Sequence, residues 1–160
     1  MKTDYVLKGI GNRHLNIMLG DFCYFNRHTL HERYTPLGIG LIGQYTKQQF
    51  GEDVEISLYK SVDKFLEKAT EKSPDVIGLS VYYWNMAQNQ YVVKKIREMY
   101  GKNVIIVLGG PSIDNEVNEQ RKFLSVVFPE ADAVIINEGE IGFTNIIKKL
   151  FDNKDNIFKD

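Results

Sequence analysis

The run Val104-Ile105-Ile106-Val107-Leu108 constrains this chain more than any other stretch. Five consecutive apolar residues, mostly β-branched, cannot be half-solvated. They suit a strand buried on both faces, as in a parallel sheet with helices above and below. The run stops at Gly109-Gly110-Pro111. Paired glycines allow unusual dihedrals and let a bulky group lie against main chain. In open α/β sheets ligands sit beyond the carboxyl ends of the strands, so a bare Gly-Gly edge there is a floor for a flat ligand. The same residues also make a tight strand-to-helix turn, and both readings stand.

Composition bounds the rest. The chain has 160 residues, enough for one domain with a proper core. Charged residues at 26% and hydrophobic ones at 43% place it among ordinary globular proteins. A formal net charge of −1 gives no electrostatic case for nucleic acid or an anionic membrane. No run approaches the roughly 18 apolar residues of a spanning helix, and the N-terminus lacks a secretory core. Cys23, the single cysteine, excludes an internal disulfide and a multi-cysteine metal cluster. These features together predict a cytoplasmic domain.

Residues 1–13 are polar and read as a loose lead-in or edge element. Leu15 to Phe22 reads as the first strand, and Cys23 to Thr35 as a long loop rich in aromatic, His and Arg residues. Loops of that length are more often functional than decorative. Pro36 suits the first turn of a helix on whose buried face Leu37, Leu41, Ile42 and Tyr45 are expected. Val54 to Tyr59 alternates like an edge or half-exposed strand. Ser61 can cap a second helix that buries Val62, Phe65, Leu66 and Ala69.

Val76 to Val81 is a third strand, running into Tyr82-Tyr83-Trp84-Asn85. Asn85, with Gln88 three residues on, predicts a capping box for a helix buried through Val92, Val93, Ile96, Met99 and Tyr100. The opening run is the fourth strand, residues 115–128 are helical in pattern, and residues 131–137 make the fifth. A last helix turns Ile146, Ile147, Leu150 and Phe151 inward, and the tail from Asp152 looks frayed or cut. Five alternations of strand and helix predict an α/β fold: a three-layer α/β/α, Rossmann-like (flavodoxin-like) sandwich with a five-stranded parallel sheet. The expected order is 2-1-3-4-5, with the switch point between strands one and three.

The usual occupants of this fold fit poorly. A phosphorylated receiver needs an Asp ending strand three, where Ser80-Val81-Tyr82 stands. A flavin mononucleotide site needs a Ser/Thr-rich loop after strand one, but this loop is aromatic and basic. Gly38-Ile39-Gly40-Leu41-Ile42-Gly43 matches GxGxxG formally, yet it lies inside an apolar run far from the strand, as helix packing requires. Ser80 lacks the context of a nucleophile elbow. His28 and His31, with Asp21 and Cys23, match no zinc spacing. Glu138 and Glu140 could share acid–base work, but alternation on an extended segment would put both on one face in any case.

Four motifs stand in order on successive elements: Pro36-Leu37-Gly38, Pro74-Asp75-Val76-Ile77-Gly78-Leu79-Ser80, Gly109-Gly110-Pro111 and Glu138-Gly139-Glu140. Together, across residues 14–151, they resemble the N-terminal cobalamin (vitamin B12)-binding domain of cobalamin-dependent radical S-adenosylmethionine enzymes. The resemblance implies cobalamin as cofactor, with Asp21, Pro36, Leu37, Gly38, Ser80, Val81, Tyr82, Tyr83, Gly109, Gly110, Pro111, Glu138, Gly139 and Glu140 around it. It implies that the nucleotide tail runs down beside the sheet and that Ser80 hydrogen-bonds the tail or the corrin amides. The two glycines would admit the ligand closely. Tyr82, Tyr83 and Trp84 either cover the disc or anchor a buried loop.

Two departures carry weight. The Asp-x-His-x-x-Gly motif that gives cobalt a protein imidazole in methyltransferase domains is absent, so the resemblance implies a cobalt without one and leaves an axial His28 or His31 as the alternative. The CxxxCxxC motif is absent too, and one cysteine cannot build an iron–sulfur cluster. The cluster, S-adenosylmethionine and the radical chemistry are then expected on a missing segment of the parent protein or on a partner. Two other readings remain open: a structural or protein-interaction module with no corrin, and a small enzyme using Glu138 and Glu140.

Overall fold

The computed structural model describes residues 14–23 and 35–152, and the backbone of residues 25, 26, 29 and 30. The expectations for residues 1–13 and 153–160, and for His28 and His31, lie outside the described residues. Five parallel strands form the sheet: β1 Leu15–Gly20, β2 Val54–Tyr59, β3 Val76–Ser80, β4 Ile105–Gly109 and β5 Ala133–Ile135. Their order is β2-β1-β3-β4-β5, so β2 is an edge and the winding reverses between β1 and β3. Four helices cross over, α1 Leu37–Phe50, α2 Val62–Glu71, α3 Met86–Tyr100 and α4 Val117–Lys122, and α5 Gly139–Phe151 follows the last strand. A two-residue ribbon, Phe25–Asn26 against Thr29–Leu30, stands apart from the sheet.

The central strands are buried on both faces, as their unbroken apolar runs demand. Two cores result. One, on the α2–α3 side, holds Met18, Phe22, Phe65, Ile77, Ile96, Ile106, Leu108 and Phe128. The other, on the α1–α5 side, holds Leu15, Ile17, Leu19, Ile39, Val76, Val107, Phe143 and Ile147. Full burial of each large side chain contributes about 1.5–3 kcal/mol before ordering costs.

Helix α1 corrects its predicted stripe. Leu37 is 64% exposed and Leu41 and Tyr45 also face out, while Ile39, Gly43 and Thr46 are buried. The reason is spacing. The helix is wedged onto β1, β2 and α5, and a methyl group at Gly43 would already touch Ile56 at 3.4 Å and Leu19 at 3.5 Å. Thr46 meets Thr144 of α5 through their hydroxyls at 3.4 Å. The row of small residues therefore packs and the leucine row is turned out.

Other expectations change too, and Met99 of the predicted α3 stripe is exposed. The capping box on α3 does not form: Asn85 makes no side-chain cap, and Gln88 instead donates to Cys23 O at 2.7 Å. The helix over residues 115–128 is a short α4 that widens into a π turn at Phe123–Val127. The segment Glu138-Gly139-Glu140 is a helix start, with Glu138 at the N-cap of α5 and Glu140 in its first turn. The expected pairing of both carboxylates on one extended face is thus lost. By contrast Ser61 caps α2 through Lys64 N, and Gly101 closes α3 at φ 58°.

Candidate functional site

Parallel register assembles the site at the carboxyl end of the sheet. Leu19, Gly78 and Val107 stand side by side on the α1–α5 face, and Ser80, Gly109 and Ile135 form the next row above them. Period-two alternation puts both rows on one face. They floor a cavity of about 210 Å³. Gly38, Ile39 and Ile42 of α1 wall one side, and Gly139, Glu140 and Phe143 of α5 the other. Tyr82, Gly110 and Asn137 complete its mouth.

The two glycines at the end of β4 do different work. Gly110 has φ 114°, and a methyl group there would lie 2.6 Å from Val81 O and 2.8 Å from Val81 N. Only glycine lets these two main chains touch, where Val81 N donates to Gly109 O at 2.7 Å and Ser112 N to Val81 O at 3.3 Å. Gly109 is under no such constraint. A methyl group there would meet only Ile135 O, at 3.6 Å, and one at Gly38 would meet nothing within 4 Å. The space above Gly109 and Gly38 is therefore not filled by the protein's own packing.

Aromatic rings stand beside the mouth. Tyr82 stacks on Trp84 with centroids 4.3 Å apart and planes 12° from parallel, and Tyr83 meets Trp84 edge-on at 5.0 Å. Tyr83 is 80% and Trp84 42% exposed, so this turn is a surface platform and not a buried anchor. Asn137, at φ 62°, turns the chain from β5 into α5 at the same rim.

The predicted residues divide accordingly. Gly38, Ser80, Tyr82, Gly109, Gly110, Gly139 and Glu140 line the cavity. Asp21 is buried past the end of β1, its N–H donating to Tyr59 O, and Val81 is buried in the α2–α3 core. Leu37, Tyr83, Pro111 and Glu138 are exposed and do not line it, and neither does half-buried Pro36. Glu138 and Glu140 do not converge there. Sequence reasoning missed Leu19, Ile39, Ile42, Gly78, Val107, Ile135, Asn137 and Phe143. Counting back two residues from Ser80 and from Gly109 would have found Gly78 and Val107.

Among the described residues no group of His, Cys, Asp and Glu could hold a metal ion. Their only histidine, His14, lies at the opposite end of the sheet with Nδ1 2.7 Å from Glu52 O. No described helix is long and apolar enough to cross a membrane.

A family model for the B12 binding domain matches residues 25–147, which include both rows of the cavity floor beyond β1 and the residues of α1 and α5 that wall it. The chain belongs to the B12-binding domain family. This B12-binding domain is 30% identical over 130 residues to the cobalamin-dependent radical SAM methyltransferase TokK of Streptomyces tokunonensis. It is 27% identical over 129 residues to a 2-(S-pantetheinyl)-carbapenam-3-carboxylate methyltransferase of Streptantibioticus cattleyicolor. Each match covers 76% of this chain and 18% of the relative, so the chain spans under a fifth of the curated relatives' length.

Solved structures agree on the fold. A cobalamin-binding protein from Desulfitobacterium hafniense DCB-2 superposes with TM-score 0.63 at 15% identity, covering 86% of this chain and 59% of that one. A CheY-like protein (tadZ) from Pseudomonas aeruginosa PAO1 gives 0.53 at 12% identity, covering 88% and 96%. The B12-binding domain thus has the expected winding and is homologous to those of cobalamin-dependent radical SAM methyltransferases.

Proposed function

We propose that this chain binds cobalamin at the carboxyl rim of its sheet, as the cofactor-holding part of a radical S-adenosylmethionine enzyme of the methyltransferase type. The observation that carries the reading is the space over Gly109, on the cavity face of β4, which a methyl group would enter meeting only Ile135 O at 3.6 Å. Its size fits one end of the ligand. A void of about 210 Å³ is below the roughly 300–1,000 Å³ that encloses a drug-sized molecule. It takes an aromatic base at the end of the nucleotide tail and leaves the corrin disc on the rim outside.

The residues divide the work by chemistry. Leu19, Ile39, Ile42, Val107 and Phe143 give the base an apolar slot. The Ser80 hydroxyl is a donor and acceptor for the tail or for corrin amides, and Gly109 offers bare main chain beside it. Tyr82 and Trp84 give the disc a flat wall. Cobalamin, when bound, supplies a cobalt able to carry a transferable methyl group. Cys23 is alone and buried, so the iron–sulfur cluster and S-adenosylmethionine are assigned to a further segment of the parent protein or to a partner. A cytoplasmic location accords with a reduced lone thiol.

Hydroxocobalamin mixed with the purified chain, followed by desalting, tests the reading. Retained corrin absorption at one equivalent is expected, and it should be lost in Gly109→Leu. A colourless desalted protein would overturn it. The exposed row Leu37, Leu41, Tyr45 and Ile141 favours a second reading, a protein-interaction module. Concentration-dependent self-association without corrin uptake would support that instead.

A further inference from the structure

Two asparagines lie beneath the platform with no exposure to solvent. Asn85 and Asn89 are each 0% exposed, one helical turn apart at the start of α3. Asn85 Oδ1 accepts from Tyr82 N at 2.9 Å and from Asn89 Nδ2 at 2.7 Å. Asn85 Nδ2 donates to Ser80 O at 3.0 Å and to Phe22 O at 3.4 Å. Asn89 Nδ2 donates again to Ser80 O, at 3.2 Å. Phe22 follows β1 and Ser80 ends β3, so the pair spans the crevice where the winding reverses.

The orientation of Asn89 is fixed by its neighbours. Its Nδ2 faces two acceptors, and turning the amide over would set Oδ1 against both. As placed, Oδ1 is buried and accepts no hydrogen bond among the described residues. Burying an unpaired carbonyl is unfavourable, and an aliphatic pair would fill the same core without that cost. What the amides add is direction: they hold three main-chain groups, Phe22 O, Ser80 O and Tyr82 N, in one place.

We infer that Asn85 and Asn89 are positioning residues, which clamp the exits of β1 and β3 from behind and thereby set Ser80, Tyr82 and Trp84 against the ligand cavity. They touch no ligand themselves, because they lie on the α3 side of β3 while the cavity lies on the α1–α5 side. The role of the clamp in ligand binding rests on the cobalamin reading; its role in holding the turn does not.

The chain's single tryptophan, Trp84, makes the two separable. Asn89→Ala should keep a cooperative thermal transition, yet show red-shifted Trp84 emission and greater acrylamide quenching without any ligand. Its affinity for hydroxocobalamin should fall about tenfold, the change expected when roughly a tenth of the molecules hold the unclamped rim in its binding position. Arg97→Met, which breaks an ion pair at the far end of the sheet, is the comparison. It should lower the thermal midpoint and leave Trp84 emission and affinity as in the parent chain. Asn89→Ser serves in place of Asn89→Ala if the latter does not fold, with the same criteria. A folded variant with unchanged Trp84 emission and quenching overturns the inference, as does an equal change in Arg97→Met. Should the parent chain retain no hydroxocobalamin, the functional reading fails and Trp84 emission alone decides on the clamp.

Discussion

The two ends of the sheet are held by different chemistry. At the amino end, charge does the tying. Asp132 has its side chain 1% exposed and takes Arg97, Lys102 and Ile106 N. Arg97 also donates to Glu130 O, Gly101 O and Val104 O. Asp75 accepts from Asn16 N beside it. At the carboxyl end no described ion pair crosses the cavity, and glycines, aromatic rings and neutral amides take over. A charged clasp is worth most where nothing must enter. A rim that receives a ligand is better held by neutral groups from behind, leaving its front bare.

That contrast can be broken most forcefully at the closed end. Asp132→Ala strands a nearly buried guanidinium and an amide, so unfolding should become easier by about 3–5 kcal/mol. Chemical denaturation measures this, and hydroxocobalamin affinity below the transition should stay unchanged. At the open end, Gly110→Ala forces a methyl group into Val81 and an L-residue to positive φ, costing about 2–4 kcal/mol. Stability and affinity should both fall.

Gly109→Leu sharpens the comparison, since its backbone is unconstrained. The thermal midpoint should move little while affinity drops at least tenfold, or about 1.4 kcal/mol; parallel losses in both would mean that Gly109 serves packing alone. The smallest effect belongs to the exposed Glu55. Lys72 beside it, with His14 helping, holds its carboxyl below the ordinary value of 4.5. The folded state thus binds that proton less readily than the unfolded one. The stability is present above 4.5 and fades as pH falls through the lowered value. Screening keeps it small. Glu55→Gln should flatten the acid limb of a stability-versus-pH curve only slightly, and superimposable limbs would show the contact to be idle.

The winding was legible because strand and helix signals alternate without a break, and because the run at Ile105–Leu108 admits only a doubly covered strand. The site was half legible. Gly109 and Ser80 end their strands, so proximity to a ligand edge follows from topology. Which neighbours face the same way depends on parity across strands, and this brought in Leu19, Gly78 and Val107 unannounced. Adjacency in sequence is a weak guide for the same reason: Tyr83 and Pro111 adjoin lining residues and do not line the cavity themselves. Glu138 and Glu140 were misjudged because an extended and a helical start look alike over three residues. The leucines of α1 failed because periodicity gives a stripe but not the depth of the groove receiving it.

The cavity opens on the α1–α5 side, and the sheet beneath it is a partition of tightly packed aliphatic side chains. The two flanks therefore reach the cavity by different routes. A protein leaning on Leu37, Leu41 and Tyr45 touches a helix that walls the cavity, whereas one resting on α3 meets the site through the Asn85 and Asn89 amides behind β3.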